Sequence, residues 1–130
     1  MIVDEKILQE MLQRAETAER KRFPKDMRTS ENDTSQRMLN AMLPGTKIDV
    51  HRHRHSAETI VLLKGDITEV YYDDNGNETA RISLREGCGE YLVQVPKNVW
   101  HTTIVNKPSV IFSVVDGAYQ PLSKADVLDI

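Results

Sequence analysis

His51, His53 and His55 alternate with Arg52 and Arg54, and the next carboxylate is Glu58. Imidazole nitrogen and carboxylate oxygen are the donors that suit Zn, Fe, Mn, Ni or Cu. Successive side chains on a strand point to opposite faces, so His51 and His53 stand side by side while both arginines point away. The apolar run Ile60-Val61-Leu62-Leu63 follows at once. Imidazoles and an acid entering an apolar sheet are expensive unless something pairs with them, and a divalent cation does so. The fourth histidine, His101, follows a turn containing Pro96 and is expected to close the site. His55 is the rival ligand. On a straight strand it would share a face with His53, but only two residues then separate it from Glu58. That leaves little chain for a turn, so His55 is placed at the rim. The duller reading is a set of surface histidines on a metal-free barrel that only packs or binds a partner.

Three neutral imidazoles and one carboxylate leave a divalent ion (Zn, Fe, Mn or Ni) with net positive charge and open positions, as in catalytic sites. Such an ion polarises a carbonyl or hydroxyl, lowers the pKa of bound water or, if iron, binds dioxygen. Alternation sends Ile60 and Leu62 inward after Glu58, and Thr103 and Val105 inward after His101. Arg37, Asn40, Tyr71 and Tyr91 are the candidates for substrate contact, and no residue stands out as general base.

The elements that must hold these groups are mostly strands. Asp4 to Arg22 reads as a helix, with Ile7, Leu8, Met11, Leu12, Ala15 and Ala18 at helical spacing. This stripe must cover the sheet of its own domain or a partner subunit, and a homodimer is expected because sheet edges also need cover. Phe23-Pro24 stops the helix, and Lys25 to Ser35 reads as a polar surface connection. Residues 1–35 are thus taken as a helix with its connection, and 36–130 as the barrel. Strands are expected over 36–43, 47–53, 58–63, 67–72, 79–84, 91–95, 100–105 and 109–115, with an irregular tail from Asp116-Gly117. The hairpin signal at Asn75-Gly76 is strong. Turn signals every 8 to 12 residues point to an antiparallel sandwich or barrel.

A chain of 130 residues fits one domain. A net charge of −3 with both signs interspersed argues against nucleic acid, and Arg52 and Arg54 are read as solvated face charges. The start lacks a signal-peptide pattern and no run is long enough to span a membrane. The single cysteine, Cys88, points to a reducing cytoplasm and is read as an incidental thiol.

Gly45, His51, His53, Glu58 and Gly65 together resemble the first sequence motif of the cupin superfamily. Gly89, Pro96, Asn98, His101 and Asn106 resemble an altered second motif, with Asn98 where a glycine is usual and two gaps one residue longer. Beyond the motifs, Gln36 to Ala41, Tyr71 to Gly76, Val99-Trp100-His101 and Asp116 to Tyr119 are similar to the WbuC-type small cupins. The resemblance covers nearly the whole chain. It implies a mainly all-β double-stranded β-helix, a jelly-roll barrel behind an N-terminal helix, and metal ligands at His51, His53, Glu58 and His101. It also suggests a link to O-antigen polysaccharide synthesis, but no reaction. The expected function is a metal-dependent isomerase, epimerase or oxygenase of a small sugar-like molecule. The alternatives are a non-catalytic ligand-binding or sensor cupin with a structural metal, or a metal-free interaction module working through the Ile7/Met11 stripe.

Overall fold

Asp4 starts the first element: its carboxylate accepts a hydrogen bond from the Ile7 N–H at 3.0 Å and caps helix α1 (Glu5–Thr17). The computed structural model describes residues 1–130. Leu8, Met11, Leu12 and Ala15 of α1 pack on Leu39, Ala41 and Val110, with Phe23 and Phe112 at the margin. The apolar stripe therefore covers the chain's own sheet. The helix ends at Thr17 rather than Arg22. Ala18 is extended and Lys21 adopts a left-handed φ of 57°. This releases β1 (Arg22–Asp26) to pair antiparallel with β2 (Ser35–Met42), within the stretch read as helix end and connection.

The remaining strands are β3 (Val50–His51), β4 (Glu58–Tyr72), β5 (Glu78–Arg85), β6 (Leu92–Val95), β7 (Trp100–Asp116) and β8 (Val127–Leu128). Residues expected as four strands form two long ones, β4 and β7, paired antiparallel on both sides of a bend. The first half of β4 lies between β6 and the second half of β7, which carries β2 and β1 beyond it. The second half of β4 lies between β5 and the first half of β7, which carries β3 and β8. Two antiparallel layers thus share two bent strands, which is a jelly-roll barrel. Between them lies an apolar core of Met42, Ile60, Leu62, Ile67, Leu84, Val93, Val95, Val105 and Ile111. Ile60, Leu62 and Val105 face inward as alternation predicted. The strand expected over 47–53 shortens to two residues, and the tail adds a 3₁₀ turn (Lys124–Asp126) before β8.

Both long strands bend where register shifts occur, between Leu62 and Ile67. Gly65 has φ +104°, and a Cβ there would sit 2.5 Å from the Pro108 carbonyl oxygen and against the Ser109 hydroxyl. Ser109 is fully buried and accepts from the Asp66 N–H at 3.0 Å while donating to the Lys107 carbonyl at 2.6 Å. Gly65→Ala combines a strained backbone with a backbone clash. It should cost about 3 kcal/mol or more, read as a lower urea midpoint with an unchanged slope.

Candidate metal centre

The mouth of the barrel is built from the ends of three strands. His51 of β3 is the cross-strand partner of His101 near the start of β7. On its other side His101 is paired with Tyr71 of β4. Glu58 opens β4, and His53 lies in the turn between β3 and β4. The His53 carbonyl accepts from the Asn98 N–H at 2.6 Å, and Asn98 takes a left-handed φ of 68°, which asparagine tolerates. The loop before β7 is thereby tied to the turn carrying His53.

One donor atom from each of His51, His53, Glu58 and His101 lies within 4.8 Å of all the others. Glu58 Oε1 is 2.8 Å from His101 Nε2 and 3.5 Å from His53 Nε2. His51 Nδ1 is 2.8 Å from the Asp49 carbonyl and His101 Nδ1 is 2.9 Å from that of Val99. A carbonyl only accepts, so both Nδ1 atoms carry hydrogen and Nε2 is left to act as donor atom. Such a backbone partner is what usually orients a metal-ligating histidine. The donor set of three imidazoles and one carboxylate fits a divalent transition metal.

The electrostatics agree with a site built around positive charge. Burial pushes the Glu58 carboxyl up, but hydrogen bonds from His101 and His53 outweigh it and hold the group well below the usual carboxylate range. Burial likewise opposes the charged form of His101, yet Glu58 raises its pKa above the ordinary imidazole value. His51 is lowered, first by burial and then by its neighbour His101. Protons compete with a metal for these nitrogens, so metal affinity falls as pH falls.

Arg52 and Arg54 are not free face charges. Asp126 Oδ1 accepts from Arg52 Nε at 3.1 Å and from Arg54 Nε at 2.5 Å, and the Arg52 guanidinium stacks 4.2 Å from the centre of the Trp100 ring. The C-terminal segment thus clamps the side of β3 opposite the histidines. Asp126 lies more than 70 residues from either arginine, so local spacing could not reveal it. His55 stays outside the donor cluster, exposed on the rim of a cleft of about 330 Å³ that also reaches His53. Cys88 is exposed in the turn before β6.

Of the residues expected to meet substrate, Asn40 and Tyr71 line the barrel. Asn40 shares the face of Met42, opposite Ile111, and its Oδ1 is buried without a partner. Tyr71 packs on the core, and burial, then Glu69, pushes its phenol up. Arg37 and Tyr91 are not brought to the cluster. Arg37 shares the helix-side face of Leu39 and Ala41 and binds Asp33 at 2.8 Å and the Met27 carbonyl at 3.3 Å. Tyr91 is 70% exposed ahead of β6.

Glu69 is the polar residue that sequence reasoning missed. It is 0% exposed, faces Thr103 across the strands and accepts a hydrogen bond from the Thr103 hydroxyl at Oε1. Its Oε2 has no partner, and burial pushes the carboxyl up to about 8. The available signal was parity: Glu69 lies between Ile67 and Tyr71 on one face of β4.

Comparison with solved structures returns the same barrel. An oxalate oxidase in complex with the substrate analogue glycolate superposes with TM-score 0.62 at 13% identity, over 81% of this chain and 55% of that one. A Bacillus subtilis oxalate decarboxylase with Mn(II) centres gives 0.55 at 17%, over 75% and 24%. A conserved Streptococcus pyogenes protein of unknown function gives 0.61 at 11%, over 79% and 80%. The chain therefore spans about half the length of that oxidase and a quarter of that decarboxylase. No curated protein matches the sequence. Residues 3–84 match the model of DUF6016, a domain of unknown function. The chain belongs to the DUF6016 family, and it carries a cluster of four residues able to hold a metal ion in the mouth of a jelly-roll barrel.

Proposed function

We propose that this protein is a metal-dependent small cupin enzyme, holding its ion with His51, His53, Glu58 and His101. The observation that carries this reading is the convergence of those four donors within 4.8 Å in the barrel mouth. When bound, the ion would act as a Lewis acid toward a chelating oxygen of a small substrate. The chain's own groups do the rest. Backbone carbonyls at Asp49 and Val99 fix two imidazoles, the Asp126 clamp braces the strand that carries His51, and the apolar core below limits water.

Isomerisation, epimerisation or oxygenation of a small sugar-like molecule is the reaction class proposed. The carbohydrate link and the WbuC-type assignment rest on sequence resemblance. A cytoplasmic setting is proposed from the unpaired Cys88. A division at residue 35 is kept in functional terms only, with α1 as cover and the remainder as the metal-bearing body. A homodimer is proposed from the open sheet edges alone, since α1 is already covered, and solution mass decides it. Mn(II) is the first ion to load and glycolate the first ligand to offer, because similar barrels are seen with them. The test is metal content and uptake by protein purified without an affinity tag, followed by turnover screens of hydroxy acids and sugar acids. Saturable ligand binding without product in every metal form would assign a sensor rather than an enzyme.

A further inference from the structure

Glu69 is the one acid sealed inside the barrel whose purpose the metal donors do not explain. On the inward face of the β4–β7 ladder, where alternate pairs share a side, Glu69–Thr103 is the next pair below Tyr71–His101, and Ile67–Val105 is the one after it. Glu69 therefore forms a polar layer between the metal donors above and the apolar floor beneath. A fully buried, unpaired carboxylate is expensive, so the group is held neutral. Thr103 donates to Oε1, which leaves the proton on Oε2, and Oε2 has no acceptor in the protein. Native interiors rarely leave such a group unpartnered without a reason.

We propose that Glu69 is a ligand-contacting residue of the metal site, donating a hydrogen bond from Oε2 to an oxygen of a small anionic molecule such as a hydroxy-carboxylate. The inference rests on the metal reading given above. Three neutral imidazoles and one carboxylate leave a divalent ion with one net positive charge, and the O–H group beside it can only donate. Both features select an anionic, oxygen-bearing ligand, and an ionised carboxylate at Glu69 would have repelled it. The unpartnered Asn40 Oδ1 is a second polar group on the interior face of the barrel.

The test uses the full chain loaded with Mn(II), with glycolate as the probe, titrated calorimetrically in wild type, Glu69→Gln and Glu69→Leu. Mn(II) affinity should agree within about threefold across all three, since Glu69 is not a donor to the ion. Glycolate affinity should fall about tenfold or more in Glu69→Leu, the usual effect of losing a hydrogen bond to a charged group. Glu69→Gln should retain most of it, because the amide still donates. Equal glycolate affinity in wild type and Glu69→Leu would overturn the assignment, as would a Mn(II)-loaded wild type that binds no glycolate. A second readout needs no metal. The infrared carbonyl stretch of a protonated carboxyl should be present in metal-free wild type at neutral pH and missing in Glu69→Gln. Its absence from wild type would also overturn the proposal. Failure of wild type to take up Mn(II) would instead count against the metal reading, with the infrared band still judging Glu69.

Discussion

Metal-free Glu69→Leu should be more stable than wild type at pH 9 and about equal to it at pH 5. The sign follows from where the proton sits. Burial pushes the Glu69 carboxyl up to about 8 in the folded chain, against 4.5 for the unperturbed group. Between those values the folded protein holds a proton that the unfolded chain has released, so stability falls as pH rises. The loss is complete above pH 8. At about 1.4 kcal/mol per unit it amounts to on the order of 4–5 kcal/mol. Leucine removes this slope and fills a similar volume, though it leaves the Thr103 hydroxyl without an acceptor, at a cost of about 1–3 kcal/mol. At pH 5 little of that loss has accrued, and removing the unpartnered Oε2 offsets the Thr103 cost; at pH 9 the full loss favours leucine. Charged groups near Glu69 modify the size and not the sign: His101 favours its ionised form, and Glu58 opposes it. Urea unfolding at pH 5 and pH 9 checks this, with Glu69→Gln as a control that should also flatten the profile. Parallel profiles for wild type and both variants would show that Glu69 ionises freely in the fold.

The second large effect is expected at the donors. His53 is the best donor to remove, because its side chain is 24% exposed and its loss removes only the 3.5 Å approach to Glu58 and an edge-on ring contact with His51. His53→Ala should weaken divalent-metal binding by more than about 100-fold, beyond the 10- to 100-fold typical of changes behind the ligands. Its metal-free fold should stay within about 1 kcal/mol of wild type. His101→Ala should lose the metal as well, but it also leaves the largely enclosed Glu58 without its 2.8 Å partner. That adds a penalty of about 3–5 kcal/mol to the metal-free protein. The contrast between the two variants separates ligand loss from structural damage.

The site was more legible than the path of the chain around it. His51, His53 and Glu58 could be read because their spacing is local and donor types are few. His101 needed only to be the remaining histidine beside an apolar strand. Which side chain sits beneath it could not be read, because that depends on the β4–β7 register, set by bulges between Leu62 and Ile67. Gly65-Asp66 and Lys107-Pro108 look like strand ends in sequence. In the fold they are corners through which both strands continue. Arg37 lies on the helix-side face because β2 is covered on both faces, by α1 and by the barrel, and parity alone does not choose between them. Tyr91 sits just ahead of β6, its carbonyl accepting from the Leu62 N–H at 2.8 Å while its ring stays in solvent, and sequence alternation does not show which way that ring turns. The helix stripe was legible as amphipathic, and only the tertiary contacts show that its cover is β2 and β7.

The most direct measurement is a thermal-unfolding titration of tag-free wild type and His53→Ala with Mn(II), Zn(II), Fe(II) and Ni(II), read beside bound metal per chain. Wild type should hold one ion per chain and gain about 2.7 kcal/mol, roughly 10 °C in Tm, when metal exceeds Kd 100-fold. His53→Ala should show neither at the same concentrations. Identical curves for the two proteins, or no stoichiometric uptake of any of the four ions by wild type, would contradict a metal held by His51, His53, Glu58 and His101.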